Sequence, residues 1–291
     1  MSGIGGVSEL KDVEQGSRDT QITPTVTAHT SSPAPQASAA IGGIPTRPKL
    51  GGVGGNRPKM SLNLGGLMRP PAIPGAATRD HLQSNLGSLR TAMAGLESHT
   101  FQSNDAALDY KQMQGTGFTG EHEGFKLSNV PLQDVFMHAK RPGDQPSGEF
   151  AGDKLHVSLA EGQVEEGFNA LKGLLFSQNS PINEWKITDM GRAPAGERVT
   201  QGAQLTLYVK PGANGNYSAQ DLKKLQDFTG QLEHTLNANE IGRGARPESD
   251  VAPDHWNYVS YRNEFRSGRE GGEAQAESLK NEPFFKLVSG T

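Results

Sequence analysis

The chain has 291 residues, a formal net charge of −4 and no cysteine, which excludes disulfides, cysteine-ligated zinc, iron–sulfur clusters and every thiol nucleophile, the thiol phosphatases included. All aromatic residues lie from Phe101 onward, whereas residues 1–80 hold 9 of the 18 prolines and 13 of the 37 glycines; the first part cannot build a core and the last 191 residues can. Residues 1–100 carry a net +3 and the remainder −7, and an acidic folded part argues against general binding to nucleic acid or to an anionic membrane.

In chain order, residues 1–78 read as a disordered tail rich in Ser, Thr, Gly and Pro, compatible with an uncleaved export signal. The run Gly51 to Gly55 follows no strand and precedes no Gly-Lys-Ser/Thr, so it is no phosphate loop. Leu82, Leu86, Leu89, Met93 and Leu96 recur at helical spacing and predict one helix over Arg79 to Ser98. KLHVSLA predicts a strand with Leu155, Val157 and Leu159 on one face and Lys154, His156 and Ser158 on the other. A helix follows over Glu161 to Phe176, then the strands WKITDM and AQLTLYVK. Ser218 with Asp221 three residues on opens a helix whose Leu222, Leu225, Leu232 and Leu236 face the core. The expected fold is α+β: a single catalytic domain over residues 79–291, with a largely antiparallel twisted sheet flanked by helices.

The polar faces of three strands carry the chemistry. Lys154 with His156, Tyr208 with Lys210, and Lys186 between Trp185 and Ile187 would together gather amines, an imidazole and a phenol, with no carboxylate required by the strand pattern. Such a pocket suits a dianion. Arg198, Arg262, Arg266 and Arg269 add forked donors for phosphate oxygens. The bland alternatives are solvated lysines, a hydrogen-bonded structural histidine and a surface ladder in which Glu264 and Glu270 pair with the arginines. His122 and His138 have no partners at metal-ligand spacing and are read as structural or exposed; neither metal nor organic cofactor is implied.

GDKLHVS, LLFSQNSPINEWKITDMGR, GAQLTLYVK, SDVAPDHW, YVSYRNEFRSGREGGE and EPFFKLV, in that order, together resemble the phosphothreonine lyases, type III secreted effectors that inactivate host MAP kinases. The resemblance implies β-elimination of phosphate from phosphothreonine in the kinase activation loop, with Lys186 as general base and His156 as general acid. It implies a phosphate clamp of Lys154, Arg198, Tyr208, Arg262 and Arg269; Lys154 alternatively steadies the enolate-like carbonyl oxygen. Lys210 is implied as a contact to the neighbouring phosphotyrosine. Arg57, Lys59, Leu62 and Leu64 in RPKMSLNLGG resemble the kinase-docking peptide of the family, and a secretion chaperone on the tail is a further candidate partner. Glu184 departs from the family, in which at least one member has lysine there, and the loop Gly191 to Glu197 has no match. A phosphothreonine-binding module and a metal-independent phosphatase are the alternatives to the lyase.

Overall fold

In a computed structural model, residues 73–115, 117–130, 133–143 and 148–291 are described; the docking segment at residues 57–64 lies outside them. The expected first helix is two: α1 (Ala76–Ser84) and α2 (Leu86–Ala94). Asn85 separates them because its side-chain Nδ2 donates to the His81 carbonyl at 2.8 Å, offering the backbone a partner that competes with continued helix. Leu82 and Met93 are buried as the spacing required.

The capping box of Asp109 and Gln112 starts α3 (Tyr110–Gln114). A hairpin follows, β1 (Thr119–His122) and β2 (Phe125–Ser128), and its two-residue turn at Glu123 and Gly124 has positive φ at both positions, 50° and 78°, as a tight turn matched to strand twist demands. Next come β3 (Phe136–Lys140), β4 (Asp153–Val157), α4 (Val164–Leu175) and β5 (Glu184–Thr188). The chain continues through α5 (Arg198–Gln201), β6 (Leu205–Tyr208), α6 (Ala219–Ala238) and β7 (Val259–Asn263). It ends in α7 (Glu273–Lys280) and α8 (Pro283–Ser289). The strands form one sheet in the order β1-β2-β3-β5-β6-β4-β7, with every neighbouring pair antiparallel. This is the α+β architecture that the mixture of short strands and helices implied.

One face of this sheet is apolar. Leu155, Val157, Trp185, Ile187, Leu205, Leu207 and Tyr261 are all buried on it. Phe168 of α4 and Phe176 pack on the Trp185 ring at 5.7 and 5.4 Å, and Phe284 and Phe285 of α8 stack on Tyr261 at 5.5 and 5.6 Å. Helices therefore cover that face, and alternation sends every second side chain of β4 to β7 to the other one. The long α6 opens on a complete capping box: Ser218 accepts from the Asp221 N–H and the Asp221 side chain accepts from the Ser218 N–H. Ser218→Ala is expected to lower stability by roughly 1 kcal/mol, read as a shift in the urea midpoint with an unchanged slope.

Candidate active site

Register builds the site. In the antiparallel ladders His156 stands opposite Thr206 from one side and Lys186 opposite Thr206 from the other. Thr206 is thus the midpoint between an imidazole and an amine whose backbones are two strand spacings, about 10 Å, apart. Lys154 lies opposite both Tyr208 and Arg262, two positions along from His156. Residues directly opposite in a ladder share a face, so Lys154, His156, Lys186, Thr206, Tyr208 and Arg262 all rise from the face of the sheet opposite α4 and α8. Arg198 reaches this side from the start of α5, and Arg269 from the loop after β7. Together Lys154, His156, Lys186, Arg198, Arg262 and Arg269 line one cavity of about 260 Å³.

The amine and the imidazole are in different settings. The Lys186 Nζ sits 3.7 Å above the centre of the Phe136 ring. Burial is the main reason its pKa falls below the ordinary lysine range; Lys154 and Arg269 push the same way, while Asp134 and Glu264 oppose. Trp185, next to Lys186 in the sequence, is not part of this wall, because adjacent strand residues point to opposite faces and Trp185 is in the core beneath. His156 is buried, and its Nδ1 donates to Asp250 Oδ2 at 2.6 Å, leaving Nε2 for the cavity. Ser260 Oγ donates to the same Asp250 oxygen at 2.8 Å and Ser249 Oγ to the other at 2.8 Å. Burial pushes the Asp250 carboxyl up, but the His156, Ser249 and Ser260 donors outweigh it and hold the group below the usual carboxylate range.

Arg262 and Arg198 are held by neutral partners. Arg262 donates through Nε to Ser267 Oγ and through Nη2 to the Ser267 carbonyl, both at 3.2 Å, and Arg198 Nη1 donates to Ser249 Oγ at 3.4 Å. Among the described residues no carboxylate forms an ion pair with Arg198, Arg262 or Arg269, so their charge is available to a ligand. The alternative, a surface ladder of these arginines with Glu264 and Glu270, does not form among the described residues, where Glu264 pairs with Lys154 instead. Arg266 points elsewhere and pairs with Glu282 at 3.3 Å.

Two expected members stand apart from the cavity. Tyr208 lies beside it, with its ring 5.5 Å from the Lys154 Nζ and against Phe150; burial pushes its pKa up to about 12, so the phenol stays protonated. Lys210 pairs with Glu184 at 2.7 Å and borders a separate cavity with Ser180, Asp221 and Lys224. Glu184 also takes Lys140 at 3.3 Å.

The strand pattern required no carboxylate in the pocket, but Glu264 and Glu197 line it, and Glu264 pairs with Lys154. Phe136, Asp250 and Ser249 were also missed as site residues. Asp250 lay in a segment that sequence reading had singled out, SDVAPDHW, but nothing local ties it to a histidine 94 positions earlier. His138, read as structural or exposed, binds Asp134 at 2.9 Å and stands opposite Lys186 in the ladder. Among the described residues no three histidines or carboxylates gather as a metal-ligand set.

The fold and this cleft define an α+β protein with a cationic, dianion-sized pocket holding one amine of lowered proton affinity and one carboxylate-backed imidazole. Comparison with known proteins places it more narrowly. Residues 46–290 match the family model described as OspF/SpvC, and the chain belongs to that family. It is 44% identical over 238 residues to the MAPK phosphothreonine lyase of Salmonella typhimurium strain LT2, an alignment covering 80% of this chain and 98% of that protein. It is 40% identical over 235 residues to the phosphothreonine lyase OspF of Shigella flexneri, with the same coverage. The solved structure of the Chromobacterium violaceum phosphothreonine lyase effector VirA (SpvC) superposes with a TM-score of 0.71 at 46% identity, over 74% of this chain and 100% of that one. The family is thus one of enzymes, the lyases, and includes bacterial effectors.

Proposed function

We propose that the chain is a phosphothreonine lyase acting on the phosphorylated activation loop of host MAP kinases, leaving dehydrobutyrine where threonine stood. The observation that carries this reading is the placement of Lys186 and His156 on opposite sides of Thr206, with the arginines along the same cavity. Elimination breaks a C–H bond and a C–O bond on adjacent carbons, so it calls for a base and an acid on separate sides of the reacting pair and cations about the phosphate. Lys186, with its proton affinity lowered by burial, takes the α-proton. The electron pair left behind forms the Cα–Cβ double bond, and His156 gives its Nε2 proton to the departing phosphate oxygen. Lys154, Arg198, Arg262 and Arg269 hold the phosphate, and they offset the dianion's tendency to restore the proton to Lys186. Lys154 is assigned to the phosphate rather than to the carbonyl oxygen because it stands opposite Arg262 in the ladder.

The docking reading of Arg57, Lys59, Leu62 and Leu64 belongs to the same proposal and is supported by a family match that begins at residue 46. Export by a type III system into the host cell is likewise proposed, on the strength of the effector relatives. Lys210 would meet a phosphotyrosine only by leaving Glu184. Mass spectrometry of a phosphothreonine peptide after incubation with the protein tests the chemistry. The expected product is one water lighter than the threonine peptide; a product equal in mass to the threonine peptide would mean hydrolysis, and an unchanged peptide would mean binding alone.

A further inference from the structure

Glu264 follows β7 directly, and its backbone N–H donates to the Gly152 carbonyl at 2.8 Å, which ties the residue to the loop that enters β4. From there its carboxylate pairs with the Lys154 ammonium inside the cavity. The exposures differ: the Glu264 side chain is 38% accessible and that of Lys154 13%, so the acid stands at the mouth and the amine lies deep. Burial pushes the Glu264 carboxyl up, yet Lys154, Arg262 and Arg269 outweigh that and hold it below the ordinary range; it is charged at neutral pH. The contrast with the arginines is informative. Arg198 and Arg262 are steadied by serines, which leave their charge open, whereas the deep lysine is met by a full anion of the chain itself.

We propose that Glu264 is an internal stand-in for phosphate: it holds Lys154 until a phosphorylated side chain enters, yields the amine to that phosphate, and reclaims it as free phosphate leaves. The proposal rests on the reading of this cavity as a phosphothreonine pocket. A dianion, attracted by the lysines and arginines together, can displace a carboxylate from Lys154. A glutamate or aspartate side chain of a peptide, carrying one charge, gains too little to do so, and the exchange therefore selects phosphoryl groups over acidic residues. It also opposes retention of the product, because the returning carboxylate competes for the amine.

The test is calorimetric titration of inorganic phosphate into the full chain and into Glu264→Gln, with Glu264→Asp as a charge-retaining control. The glutamine variant is expected to bind phosphate about tenfold more tightly, since it removes both the competitor and a like charge, and phosphate should inhibit its turnover at correspondingly lower concentration. The aspartate variant should bind phosphate as the parent does, within about threefold. Equal or weaker phosphate binding by Glu264→Gln overturns the proposal, because a carboxylate that merely positions Lys154 would weaken the site when removed. Phosphate binding needs no elimination chemistry. A chain that binds phosphate with the expected difference but does not turn over a phosphothreonine peptide sinks the lyase reading and leaves the stand-in intact; no phosphate binding by either protein overturns the stand-in, and the mass of the peptide product then decides the lyase reading by itself.

Discussion

Lys186→Arg is expected to lower kcat for elimination by about a thousandfold or more, and Lys186→Ala by a similar factor, while phosphopeptide affinity measured by calorimetry changes by no more than about threefold. The arginine variant is the sharper of the two. It keeps a positive charge and a long stem over the Phe136 ring, so a side chain that only attracted phosphate would survive the exchange. A guanidinium cannot give up its proton in the working range, and a base is therefore lost. A thousandfold corresponds to about 4 kcal/mol of transition-state stabilisation, in the range that proton abstraction by a positioned group supplies. If Lys186→Arg retains more than about a tenth of the parent kcat, Lys186 belongs to the phosphate clamp and another group takes the α-proton. The pH profile gives a second reading: because burial lowers the Lys186 pKa, the rising limb that reports the base should lie below the ordinary lysine value of about 10.4, and a falling limb should follow as His156 loses the proton it must give.

The parts of this site that can be read from the sequence are those that a period of two determines by itself. Lys154 and His156 alternate with Leu155 and Val157, and Thr206 and Tyr208 with Leu205 and Leu207; once those leucines and valines go to the core, the polar set must share the other face whatever the strand order. The order itself is not in the alternation. β4 lies between β6 and β7, and that placement, not local spacing, brings Arg262 beside Lys154 and Lys186 within two strands of His156. The supports of the chemistry are harder still to foresee. Asp250 reaches His156 because an isolated bridge, Val251 opposite Tyr261, folds its segment along β7. Phe136 forms the wall under Lys186 because β3 is the neighbour of β5. The break at Asn85 shows the limit from the other side: the leucine spacing persists across it, and the side chain that interrupts the helix is one that a hydrophobic pattern does not register.

Asp250→Asn is expected to reduce kcat by about a hundredfold with little change in KM for a phosphothreonine peptide. The amide matches the carboxylate in shape but supplies no negative charge, and the imidazolium that must give a proton to phosphate loses its counter-ion. Its NH2 group can also face His156 Nδ1, which would leave the ring neutral and a poor acid. Asp250 is not among the residues that line the cavity; it acts through His156 and, by way of Ser249, on Arg198. Stability carries a separate signature. The Asp250 carboxyl is held below its ordinary range in the fold, so its contribution is present in full above the unfolded value of about 3.9 and is lost as pH falls through the folded value. Replacement should therefore cost roughly 2 kcal/mol at pH 7, and the gap between parent and variant in urea unfolding should narrow below about pH 4, where the parent carboxylate takes up its proton. A variant with kcat within about threefold of the parent, or a stability gap that stays constant into acid, would separate Asp250 from the imidazole it is argued to serve.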